Sequence, residues 1–99
     1  MKILTEEEFY NLPKEQKTGC VLYNNGTKHW YKEDKCHRDD GPAVEYPNGD
    51  KVWYKNGQLH RDDGPAIELI IGTKDYFLNN IRYSYQKWFA IVNNLEKFI

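Results

Sequence analysis

The heptapeptide His-Arg-Asp-Asp-Gly-Pro-Ala occurs twice without change, at residues 37–43 and 60–66, an offset of 23. Self-similarity at that period is the mark of a chain built from small supersecondary units that bury surface only by stacking on their neighbours. Extending the alignment pairs residues 26–48 with 49–71. They agree at 13 of 23 positions: Gly26, Lys28, 30–32, 37–43 and Glu45 match their counterparts. A decayed third copy opens at Gly72, with Lys74, Tyr76, Phe77 and Asn79 standing where Lys51, Trp53, Tyr54 and Asn56 stand one period earlier. It lacks the heptapeptide, as a terminal unit does when nothing follows it in the stack.

Each unit reads as a β-hairpin. Thr, Val, Trp and Tyr are strand formers, and Asn24-Asn25-Gly26, Pro47-Asn48-Gly49 and Asn56-Gly57 supply residues that accept positive φ in turns. Asp-Gly-Pro inside the heptapeptide predicts a structured corner: Asp bonds the backbone ahead, Gly gives an unusual φ, and Pro keeps the chain out of the ladder. The most apolar run, residues 66–71, is expected to form the most buried strand. Two helices flank the repeats. Thr5 and Glu8 have the spacing of a capping box ahead of Phe9, Tyr10 and the breaking Pro13. Ser84 is positioned as the N-cap of a second helix with Trp88, Ile91, Val92, Leu95, Phe98 and Ile99 on one face. The expected fold is α+β, mainly β: an antiparallel meander of repeated β-hairpins with a short N-terminal helix and an amphipathic C-terminal helix. It makes a single domain over 1–99, divided into 1–25 (helix and first strand), 26–48, 49–71, the partial unit 72–83 and the helix 84–99. Ninety-nine residues suffice for one core and not for two.

Lys plus Arg number 14 against 15 Asp plus Glu, a net charge of -1 that provides no global field for a phosphate backbone or an anionic membrane. Direct nucleic-acid binding is therefore not expected. No apolar run approaches a membrane span, and Glu6, Glu7 and Glu8 follow the first residues too closely for a signal peptide. Two cysteines, Cys20 and Cys36, do not make a disulfide scaffold, and a reducing cytoplasm is the simplest setting.

The pattern G-x-K-x-W-Y-K-N-G-x-x-H-R-D-D-G-P-A, read from Gly49 to Ala66, resembles the repeat of small proteins encoded by tailed phages and other large DNA viruses. Its 23-residue period and the run Asn56-Gly57-Gln58-Leu59-His60 are also similar to MORN repeats, which form stacked β-hairpins. MORN units carry Gly after the His, where Arg38 and Arg61 stand here, so the chain is MORN-like. The phage resemblance implies a small accessory protein in the cytoplasm of a host cell that inhibits a host or defence-system protein. A CRISPR-Cas-type inhibitor is the foremost expectation, with interference in cyclic-nucleotide signalling beside it.

His, Arg and Asp together invite a catalytic reading of the corners. A catalytic constellation has no reason to appear twice in register, whereas a corner closing each unit must recur, with Arg–Asp ion pairs fixing it. No nucleophile-elbow, P-loop, dinucleotide or zincin motif is present, and no enzyme and no catalytic residue are expected. His29, Cys36, His37, His60 and Cys20 form no metal-ligand pair, and Leu59 and Val52 replace Cys36 and His29 one period on, so no metal or other cofactor is expected. What remains is binding to a protein partner through Trp30, Tyr31, Trp53 and Tyr54, with Arg38 and Arg61 as anchors. Asp39, Asp40, Asp62 and Asp63 form a candidate acidic patch. Two alternatives stay open: a sponge holding a nucleotide between hairpins, stacked on the aromatics, and a structural array that pairs with itself through its sheet edges, a homodimer included.

Overall fold

A computed structural model of the chain describes residues 3–95. The strands are β1 (Ile3–Thr5), β2 (Gly19–Leu22), β3 (Lys28–Lys32), β4 (Lys35–Cys36), β5 (Val44–Glu45), β6 (Lys51–Val52), β7 (Tyr54–Lys55), β8 (Gln58–Leu59), β9 (Ile67–Glu68), β10 (Lys74–Leu78) and β11 (Ile81–Tyr83). Helix α1 (Glu6–Tyr10) and a 3₁₀ turn (Lys14–Gln16) lie between β1 and β2, and α2 (Tyr85–Val92) follows β11. The protein is mainly β with two α-helices. The main sheet runs β1-β2-β3-β5-β6-β9-β10-β11, with β4 on β3, and β7 pairs with β8 separately.

The pairing departs from a wholly antiparallel meander. Residues 3–5 form a strand that pairs parallel with β2, Leu4 opposite Val21, so the sheet is mixed. The capping box explains how this connection is made: Thr5 accepts from the Glu8 amide while Glu8 accepts from the Thr5 amide, turning the chain out of β1 directly into α1. Phe9 is thereby set on Leu4 and Val21, the one tightly buried apolar cluster, against which Leu12, Tyr23 and Tyr31 pack.

Across the rest of the sheet, register is written in charge on one face and in aliphatic side chains on the other. Cross-strand partners run Lys28, Glu45, Lys51, Glu68, Lys74 along one row, alternating in sign. The adjacent row runs Val21, His29, Val44, Val52, Ile67, Asp75. A slip of one residue would oppose like charges or carry the aliphatic row to the other face. Because side chains alternate along a strand, Trp30 and Tyr76 share the charged face and Tyr31 the aliphatic one. Helix α1 covers the aliphatic face through Phe9 on Tyr31, ring centroids 4.5 Å apart, and α2 covers the charged face through Trp88 on Tyr76 at 4.9 Å. The two helices therefore cover opposite faces at opposite ends. A radius of gyration of 15.1 Å, against about 13 Å for a compact chain of this length, records the resulting elongation.

Two further expectations are corrected. Residues 66–71 do not form the most buried strand: β9 is two residues long, and Ile70 and Ile71 are 63% and 82% exposed. Gly72 at φ +100° closes a turn there, with Leu69 bonded to Thr73, just as Tyr46 is bonded to Asp50 around Gly49. Turn chemistry outranks the apolar run. Helix α2, expected over 84–99, ends at Val92 among the described residues, and residues 96–99 lie outside them. Asn94 takes φ +58° and donates to the Ile91 carbonyl while the Leu95 amide reaches back to Ala90, the double bond of a Schellman stop. Trp88 is buried and Ile91 and Val92 half-buried as expected, Leu95 lies beyond the helix, and Phe98 and Ile99 fall outside the described residues.

Stacking of successive turns accounts for one orphaned hydroxyl. The Asp50 carboxylate accepts the amide of Ile70, 20 residues on, at 2.9 Å. Thr27 holds the corresponding place one period earlier, but 20 residues beyond it stands Pro47, which has no N–H, and the buried Thr27 Oγ1 has no partner. Thr27→Val, which keeps the shape and removes the unsatisfied group, is expected to leave stability unchanged or raise it by about 1 kcal/mol, read by urea unfolding. Asp50→Ala should lower it by a similar amount.

Candidate binding surface at the corners

The two heptapeptides form corners of the same construction. In the first, Arg38 Nε donates to Asp40 at 3.0 Å, and Nη1 donates to the Pro42 carbonyl and to Glu45, both at 3.1 Å. Its guanidinium lies 3.9 Å from the centre of the Trp30 ring. In the second, Arg61 Nε donates to Asp63 at 2.8 Å, and Nη1 to the Pro65 carbonyl at 3.1 Å and to Glu68 at 2.8 Å, with Trp53 at 3.8 Å. The planar fork of arginine suits this combination of carboxylate, carbonyl and ring contacts. The glycines are present for space, not for an unusual φ: a Cβ at Gly41 or Gly64 would stand 3.0 or 2.7 Å from the arginine Cζ.

The histidines face backbone. His37 Nδ1 accepts the Asn56 amide at 2.9 Å and His60 Nδ1 accepts the Asn79 amide at 3.1 Å, 23 residues on. With Nδ1 an acceptor, the His37 proton sits on Nε2 and is donated to Asp39 at 2.9 Å. The Arg38 amide reaches the Tyr54 carbonyl and the Arg61 amide that of Phe77. Each corner thus ties the hairpin loop that follows it through its imidazole and its arginine amide, while the guanidinium is occupied within the corner itself.

Trp30 is only 9% exposed, Tyr31 lies under Phe9, and Trp53 and Tyr54 are half-buried, the Tyr54 hydroxyl held above the ordinary tyrosine range by burial. Arg38 and Arg61 are committed to their corners. The carboxylates of Asp40 and Asp63 are 82% and 80% exposed, and Asp39 and Asp62 stand beside them in solvent. Between the corners lies a groove of about 290 Å³, with Trp53, Lys55 and His60 along it and the four aspartates and two arginines at its sides. Glu45 and Glu68, which complete the corners, were not among the expected site residues, although their recurrence at the 23-residue offset was a usable signal.

At the other end, Tyr23 and Tyr31 hydroxyls are 3.0 Å apart and His29 Nδ1 lies 3.4 Å from the latter. Burial raises the Tyr23 and Tyr31 hydroxyls and lowers the His29 imidazole, so this cluster stays uncharged. Among the described residues no group of three or more His, Cys, Asp or Glu is placed to hold a metal ion, and no helix is long and apolar enough to cross a membrane. Both cysteines are free thiols. Burial pushes Cys36 up to about 11, its thiol directed at the Ala43 carbonyl, and raises Cys20 also. At pH 7.5 the Cys36 thiol should therefore react with a disulfide reagent about a hundredfold more slowly in the native protein than in the denatured chain, and Cys20 more slowly also, as followed by absorbance.

No protein-family model, characterised protein or solved structure matches this chain.

Proposed function

We propose that the protein is a non-enzymatic binding module: repeated β-hairpin units stacked side by side, presenting their corners as a rigid surface that occludes part of a partner protein. The observation that carries this reading is the double use of the heptapeptide. In both copies the Arg bonds the second Asp of the heptapeptide and the His accepts an amide of the next hairpin loop, which is the economy of a scaffold; the bond from His37 to Asp39 is made in the first copy. What the scaffold leaves outward is a charged groove lined by Trp53, Lys55 and the four corner aspartates.

The partner class that the sequence resemblance implies is a host or defence-system protein, and we propose inhibition of a CRISPR-Cas-type complex in the host cytoplasm. Asp62 and Lys55 flank the groove without holding a corner together, so they test the surface without testing the fold. In a pull-down from bacterial lysate, the wild-type chain should retain a stoichiometric protein after nuclease treatment, and Lys55→Glu with Asp62→Lys should lose it while melting as the wild type does. An empty eluate from the wild type, or full retention by the double variant, counts against the reading.

The nucleotide alternative draws less support, because each corner sets one arginine against three carboxylates, an unfavourable field for phosphate. Extension of the corner column by copies of itself is opposed at its first end, and α2 closes over the second corner. The Glu33 and Asp34 amides are already taken by Thr18 Oγ1 and the Lys17 carbonyl, and Trp88 Nε1 holds the Arg61 carbonyl.

A further inference from the structure

The first edge of the sheet lies outside the corner column. β1 stands at the end of the strand order and pairs on one side only, leaving the outward backbone groups of Ile3 and Leu4 without a strand on the other, while the Thr5 amide is held by Glu8. Edges are ordinarily blunted by lysine, proline or a bulge, and β1 carries none of these. On the face that α1 leaves uncovered, Ile3 and Leu22 are 59% and 43% exposed. Two concavities meet at Ile3. One, of about 240 Å³, is lined by Cys20, Lys28, Trp30, Arg38 and Asp40 beside Ile3; the other, of about 680 Å³, runs between β1, the start of α1 and residues 22–24. Glu6 and Glu7 border the larger one, and among the described residues no lysine or arginine lines it and neither carboxylate enters an ion pair.

We propose that this edge receives an extended segment of a partner protein as an added strand on β1, with an apolar side chain against Ile3 and Leu22 and a lysine or arginine facing Glu6 and Glu7. Strand addition supplies main-chain hydrogen bonds, and alternate side chains supply selectivity. Charge decides the occupant. A second copy docking this edge on itself would bring two Glu6-Glu7 pairs together, whereas a basic segment neutralises them. The surface is separate from the corner groove, and the inference stands or falls without it.

The test is titration of the isotope-labelled full chain with two peptides, acetyl-Lys-Val-Lys-Val-Lys-amide and acetyl-Glu-Val-Glu-Val-Glu-amide, followed by amide resonances and hydrogen exchange. The basic peptide should shift the resonances of residues 3–7 and 20–24 saturably, slow exchange in β1, and leave the Arg38 and Arg61 amides unmoved. Glu6→Gln with Glu7→Gln, which spares the capping Glu8, should weaken it about fivefold, and added salt should do the same. Ile3→Lys should abolish it with the melt unchanged. Equal binding of the two peptides, no saturation by about 1 mM, or shifts confined to the corner aspartates would overturn the proposal. So would a concentration-dependent mass in light scattering that Ile3→Lys removes, which would assign the edge to a second copy.

Discussion

Trp88→Ala should lower unfolding stability by about 3–5 kcal/mol, a large share of the roughly 5–15 kcal/mol that holds a domain of this size. Trp88 is 6% exposed, stacks on Tyr76 and Tyr85, and donates from Nε1 to the Arg61 carbonyl at 2.9 Å. Its position repays comparison with the units before it. Trp30 and Trp53 are each covered by the arginine of their own corner; Tyr76 occupies the same register but belongs to the copy that has no heptapeptide, and the indole of α2 covers it instead. The helix thus closes the column where the corner motif stops. Removing the indole uncovers Tyr76 and leaves the Arg61 carbonyl without its donor. Since each part of the sheet touches only its neighbours, the loss should be local: hydrogen exchange should accelerate in β10 and β11 while β1, β2 and β3 keep their protection. Uniform acceleration across the sheet would show that the column unfolds as one unit and that α2 has no separate capping role.

Arg61→Lys should cost about 2–3 kcal/mol, or about 10–20 °C in melting temperature, despite conserving charge. A lysine ammonium is a point donor. It cannot bond Asp63, Glu68 and the Pro65 carbonyl from two nitrogens while lying flat on Trp53. The exposed Asp63 contact contributes little of this, being screened by water; the larger part comes from the Pro65 carbonyl, from Glu68 and from the ring. Arg38→Lys should behave alike, because its contacts are the same. A loss below about 0.5 kcal/mol in thermal or urea unfolding would mean that the corners are held by their backbone alone. The same reasoning sets a limit on interface mutagenesis: truncating either arginine disturbs the fold, so loss of partner capture in such a variant would not identify a contact.

Much of this molecule could be read from the order of its residues. The verbatim heptapeptide and its 23-residue offset foretold that one local structure is made twice, and the same hydrogen bonds do recur at that offset. The Thr5–Glu8 spacing located α1, and Ser84 located the start of α2, because caps are decided within one helical turn. That His, Arg and Asp build a corner was legible in their recurrence alone. Other features needed the neighbours in space. Whether Trp30 is exposed depends on where the Arg38 guanidinium lies, and whether Ile70 and Ile71 are buried depends on a turn whose Gly72 prevails over their hydrophobicity. The parallel pairing of β1 with β2 joins segments separated by α1 and a 3₁₀ turn, a non-local choice that three residues of strand do not announce. The allocation of the two helices to opposite faces has the same origin. A sequence states which side chains alternate, but which face is left open is settled only when distant elements compete to cover the same surface.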